Sequence, residues 1–209
     1  MIVVVFDTET TGLPKDYKGS LYDSDNWPYI VQLSYIVFDC EKKSILHKVD
    51  HLIQLPKGIT IPESATAIHR VTNEMCVNNG IDIKVALKEF NTYAKLANRV
   101  VAHNISFDKR LIIVESIRNN MLSIFTKQPA IYCTMKSTTK KCKIERKFKD
   151  GSTYYKYPTL SELHMHLFQT IPKGTHNALN DVLICLRCYY FLEYNSDLVT
   201  SNSLFDMVL

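Results

Sequence analysis

Near its N-terminus the chain runs Ile2-Val3-Val4-Val5-Phe6 directly into Asp7-Thr8-Glu9. Five apolar residues, four of them β-branched, predict a buried strand that ends at the polar residues before Gly12. The two-residue period of a strand then puts Asp7 and Glu9 on one face. Two anions at the end of a buried strand repel each other and lose hydration. A bound cation offsets that cost. Equally, one carboxylate could cap the Thr10-Thr11-Gly12 turn while the other faces water.

The remaining pattern alternates strand and helix signals. Residues 29–38 and 45–55 read as strands joined by a turn at 39–43, after a Pro- and Asp-rich loop over 14–28. Pro62 to Ala65 suggests a short helix. Apolar residues at helical spacing predict another over 83–96. A short strand over 99–103, a helix over 107–119 and a strand over 131–135 follow. Thr159-Leu160-Ser161-Glu162 fits a capping box, which starts a helix running to about Phe168. A last helix should occupy about 178–192. This order predicts an α/β fold with a mixed sheet of about five strands.

With 209 residues, 46% hydrophobic and 22% charged, the chain suits one globular domain over 1–209 and does not suit disorder. No apolar run approaches the roughly 20 residues of a membrane span, so a soluble, intracellular protein without membrane partners is expected. Six cysteines without a secretion signal are expected to be free thiols. Cys185 and Cys188 form a CxxC, but nothing in the spacing selects the two further ligands that structural zinc requires.

Three further groups of polar residues stand out. Asp108 lies near a helix start behind His103-Asn104, where an acid also suits the helix dipole. His176 and Asp181 are five apart, which fits a loop histidine and a first-turn acid approaching one point. Together with Asp7-x-Glu9, their order resembles that of the DnaQ-like, or DEDDh, family of 3′→5′ exonucleases. Phe6-Asp7-Thr8-Glu9-Thr10-Thr11-Gly12-Leu13 matches the first motif of that family. Ala102-His103-Asn104-Ile105-Ser106-Phe107-Asp108 matches the second, and His176-Asn177-Ala178-Leu179-Asn180-Asp181 the third. Ile68-His69-Arg70-Val71-Thr72 resembles another family segment, with Arg70 in place of the usual glycine. Tyr132-Cys133-Thr134 is similar to the strand after the second motif.

The resemblance implies a ribonuclease H-like fold, a five-stranded mixed sheet flanked by helices. It implies release of 5′-mononucleotides with two Mg²⁺ or Mn²⁺ ions as cofactors. Asp7, Glu9, Asp108 and Asp181 would then be the metal ligands, and His176 the general base. By the same analogy Thr10, Leu13, His69, Asn104 and Phe107 would contact the terminal nucleotide. The partner would be nucleic acid, DNA more than RNA, with proofreading or DNA repair as settings and a polymerase or repair protein as a further partner. Rival readings are an exoribonuclease and an inert nucleic-acid-binding scaffold.

Charge is uneven. Residues 136–149 carry a net +6 within a chain of +4, leaving −2 elsewhere. The segment over about 136–158 reads as an inserted basic hairpin whose cations meet nucleic acid and whose Tyr154, Tyr155 and Tyr157 cover the core.

Overall fold

The computed structural model describes residues 1–199 and 204–205. Its main sheet has five strands: β1 (Ile2–Thr10), β2 (Ile30–Asp39), β3 (Ser44–Leu52), β4 (Arg99–Ala102) and β5 (Ile131–Cys133), in the order β3-β2-β1-β4-β5. The β1–β2 and β2–β3 pairs are antiparallel, while β4 runs parallel to both β1 and β5. The mixed sheet and its flanking helices are those of a ribonuclease H-like fold.

Alternation along the strands builds two cores. Val4, Phe6, Leu33, Tyr35 and Val100 face α3 (Ile83–Leu96) and α4 (Ile105–Arg118) on one side. Val3, Val5, Ile36, Phe38 and Val101 face α7 (Ala178–Tyr194) and the nearby α6 (Leu160–Phe168) on the other. Asp7 and Glu9 share the odd register of Val3 and Val5, so they lie on the α7 side. Thr8 and Thr10 lie on the opposite side.

Strand and helix bounds shift where backbone bonding overrides residue preference. β1 extends to Thr10, because its polar end still pairs with β2 down to Ile30, with a bulge at Glu9/Thr10. β3 stops at Leu52; Ile53 bridges Ile81 instead. α4 starts two residues before the predicted 107, because Asn104 turns left-handed at φ +63° and its carbonyl accepts from the Phe107 N–H. Two short helices precede α3: α1 (Glu63–His69) and α2 (Asn73–Asn79). The second has no counterpart in the sequence reading. Its cap is Thr72, which accepts from the Met75 N–H at 3.1 Å.

The inserted segment is not one hairpin. β5 ends at Cys133, and α5 (Thr134–Cys142) takes the first half of the basic run. The Thr-rich sequence hides this helix, since β-branched residues resist helix on propensity alone. Here Thr134 and Thr138 are buried, and the Thr138 hydroxyl donates back to the Thr134 carbonyl at 2.6 Å. Only β6 (Glu145–Lys147) and β7 (Thr153–Tyr155) form a hairpin. Its tyrosines do not cover the core: Tyr154, Tyr155 and Tyr157 are all exposed, because three-residue strands project beyond the sheet. All six cysteines are free thiols. Among the described residues, no helix is long and apolar enough to cross a membrane.

Candidate active site

The C-terminal half of β1 carries Asp7 and Glu9, and the first turn of α7 carries Asp181. Oxygens of these three carboxylates lie within 4.8 Å of one another. The sequence separates them by more than 170 residues; packing α7 on the odd face of β1 brings them together. Asp108 arrives from the other face. Its Oδ1 accepts from the Thr8 hydroxyl at 2.7 Å and the Thr8 N–H at 3.2 Å. It is buried and electrostatically coupled to Asp7, Glu9 and Asp181.

Burial raises the pKa of all four acids. Burial, then the charges of Asp108, Asp181 and Glu9, pushes Asp7 well above the usual carboxylate range. Burial first, then Asp181 and Asp108, pushes Glu9 up to about 8. Burial raises Asp108 to about 7 against the lowering effect of the Thr8 hydrogen bonds. Asp181 is also raised to about 7 by burial, although the His176 N–H donates to its Oδ2 at 3.0 Å. Its Oδ1 is buried without any hydrogen-bond partner. An all-oxygen donor set with one orphaned oxygen fits a hard divalent cation.

His176 lies in the loop before α7, as expected, but its ring does not join the carboxylates. Its backbone, at φ +65°, is tied to Asp181, but its side chain is exposed. The residue lines a separate pocket with Asp50, His69, Arg70 and Asn180. The carboxylate group therefore forms without the imidazole.

Beside Glu9 an open cleft of about 460 Å³ is lined by Thr10, Leu13, Ile68, His69 and Phe107, among others. Four of the five predicted substrate residues thus share one cleft. Asn104 does not line it; it serves as the left-handed cap of α4. His69 contributes a wall but no free nitrogen. Its Nε2–H donates to the Thr10 carbonyl at 3.2 Å, and its Nδ1 accepts from the Val71 N–H at 3.0 Å. Burial lowers its pKa, which suits this neutral strut. Ile68 was missed by sequence reasoning. It sits one position out of register with buried Ala65 and His69 and is 57% exposed. A large apolar residue off the buried face of a short helix was the available signal.

Residues 4–189 match the family described as Exonuclease, RNase_T. The chain belongs to this exonuclease family. This family is of DnaQ-like, ribonuclease H-like type, and the chain carries a carboxylate cluster that could hold a metal ion. No curated protein matches it in sequence. Among solved structures it is similar to E. coli Exonuclease I in complex with a dT13 oligonucleotide, at 12% identity and TM-score 0.67. That match covers 92% of this chain and 41% of the other, so this chain spans about two fifths of that relative. It is also similar to Exonuclease X in complex with 5′ overhanging duplex DNA, at 21% identity and TM-score 0.53, covering 97% of this chain and 99% of the other. These likenesses show the shared fold.

Proposed function

We propose that this exonuclease is a divalent-metal-dependent 3′→5′ enzyme that releases 5′-mononucleotides from single-stranded or frayed DNA ends. The observation that carries the reading is the set of three carboxylates within 4.8 Å, with Asp181 Oδ1 buried and unpartnered. Two Mg²⁺ or Mn²⁺ ions held there would supply water activation and neutralise charge on the phosphate and the leaving oxygen. Asp7, Glu9 and Asp181, with Asp108 nearby, would hold these ions.

The chain's own residues then position the reaction. Leu13, Ile68 and Phe107 offer apolar walls to the terminal base, and the Thr10 backbone, braced by His69, faces the sugar. His176 acts as general base. Its backbone is already anchored on Asp181, so rotation of the side chain carries the ring toward the attacking water. DNA is favoured because both Exonuclease I and Exonuclease X were solved with DNA.

Matched DNA and RNA oligonucleotides labelled at the 5′ end test this reading. With Mg²⁺ or Mn²⁺ a ladder shortening from the 3′ end of DNA is expected, with loss in chelator and in Asp7→Ala. Full-rate cleavage by Asp7→Ala removes the proposed site. Faster trimming of the RNA makes the protein an exoribonuclease.

A further inference from the structure

β1, β4 and β5 run parallel, so their C-terminal ends share one edge of the sheet. That edge carries Asp7 and Glu9 at β1, Asp108 just after β4, and α5 directly after β5. Two strand spacings separate β1 from β5, about 10 Å. The basic segment therefore begins beside the carboxylates, although it is remote from most of them in sequence.

A half-buried histidine fixes it there. His103, at the end of β4, uses Nε2–H to donate to the Pro158 carbonyl at 3.1 Å, so its Nδ1 accepts from the Thr134 hydroxyl at 2.9 Å. One ring thus clamps both ends of the segment, the start of α5 and the exit of β7, five residues before Asp108.

What the segment presents is cationic and aromatic. Lys136, Lys140, Lys141, Lys143, Arg146, Lys147 and Lys149 are all exposed. Among the described residues none of them pairs with a carboxylate. The one local acid–base pair, Lys156 with Glu162 at 2.6 Å, sits at the root of the hairpin. On the hairpin, Arg146 lies opposite Tyr154, and alternation brings Phe148 to the same side. The Phe148 and Tyr154 rings lie 4.3 Å apart, yet they remain 53% and 41% exposed. Unpaired cations beside exposed rings suit a strand whose phosphates are charged and whose bases stack.

We propose that α5 and the β6–β7 hairpin form a guide surface for the single strand on the 5′ side of the scissile bond. The cations hold its phosphates, and Phe148 and Tyr154 stack a base. The surface lengthens the footprint beyond the terminal nucleotide, so affinity depends on oligonucleotide length. An acidic protein partner is the competing occupant; the exposed stacking rings favour nucleic acid. The place of the strand's end rests on the nuclease reading above, but binding is measured separately from hydrolysis.

The test uses fluorescein-labelled (dT)₂₀ and (dT)₄ bound to the Asp7→Asn protein in chelator across a salt series. Each phosphate contact on a single strand contributes about −0.7 to the log–log salt slope. Lys136→Gln, Lys140→Gln and Lys147→Gln together should make the (dT)₂₀ slope shallower by up to about two units and leave the (dT)₄ slope less altered. Phe148→Ala with Tyr154→Ala should weaken (dT)₂₀ binding about tenfold at every salt concentration without changing the slope. In the otherwise wild-type enzyme the charge variant should lose more kcat/KM on (dT)₂₀ than on (dT)₄. An unchanged slope, equal losses on both lengths, or binding of polyglutamate that outcompetes (dT)₂₀ overturns the proposal. Absence of hydrolysis by the wild-type protein would instead overturn the nuclease reading, with the binding slopes still deciding the guide surface.

Discussion

His176 shows how little one residue's neighbours say about its role. The chain holds its backbone on Asp181 while its ring stays exposed, so the general-base assignment rests on rotation of one side chain. His176→Ala should lower kcat by about 10²–10⁴-fold, the range for a positioned acid–base group. KM and metal affinity should change little, because the carboxylates remain. Single-turnover rates across pH decide it: unchanged rates in the variant remove the assignment. Arg70 is the converse, a residue whose backbone is strained. It caps α1 at φ +65° and ψ 4°, where glycine pays no steric penalty. Arg70→Gly should therefore raise stability by up to about 1 kcal/mol, read as a Tm increase of about 2–4 °C. A lower Tm would mean that the Arg70 side chain makes a stabilising contact that outweighs the strain.

Elements matter here mainly through what they pin. The loop over 14–28 is long, and two α4 arginines hold it, Arg110 by donating to the Tyr17 carbonyl and Arg118 by a wider set of contacts. The Arg118 guanidinium donates to the carbonyls of Ser24, Trp27 and Pro28 and stacks over the Tyr29 ring at 3.8 Å. It also pairs with Glu115 at 2.6 Å, both groups being buried. Burial raises the Glu115 pKa even against the Arg118 charge. Arg118→Ala removes the cation and leaves the acid buried alone, so a loss of about 3–5 kcal/mol is expected. Chemical denaturation measures it. Because the same loop leads from Leu13 at the cleft, KM for oligonucleotide should rise in Arg118→Ala at temperatures where the protein is folded. The double variant Arg118→Ala with Glu115→Gln should recover part of the stability, since no unpaired charge then remains.

At the scale of the molecule, the carboxylate cluster sets stability against function. Asp7, Glu9, Asp108 and Asp181 all bind protons more tightly in the fold than in the unfolded chain. Their contribution to stability is complete below the ordinary carboxylate range near pH 4 and is lost as pH rises through about 7 to 8. The metal-free protein should therefore show a falling Tm from pH 5 to pH 8. Asp7→Asn should flatten that fall. Mn²⁺ or Mg²⁺ at 100 times its Kd should restore about 2.7 kcal/mol to the wild type and less to the variant. Thermal unfolding with chelator and with metal, at pH 5 and pH 8, tests both statements. A Tm that rises with pH in chelator, or a metal effect equal in Asp7→Asn, would contradict the assigned cluster.

Local pattern alone made the central strand legible, because an apolar β-branched run has few other uses, and it put Asp7 and Glu9 on one face through the strand's own period. The α/β class followed from alternating periodicities, and the three motifs carried the likeness to the exonuclease family. Tertiary structure decided the rest. It joined Asp181 to Asp7 and Glu9 by docking α7 on the odd face of β1, and joined Asp108 through Thr8 from the opposite side. It gave His69 to a strut, because the Thr10 carbonyl and the Val71 N–H claimed both ring nitrogens, and it gave Asn104 to the left-handed turn before α4. It turned half of the basic run into α5, because burial of Thr134 and Thr138 outweighed their weak helix preference. Propensity and spacing act within a few residues, whereas the contacts that assign these side chains are made across the sheet.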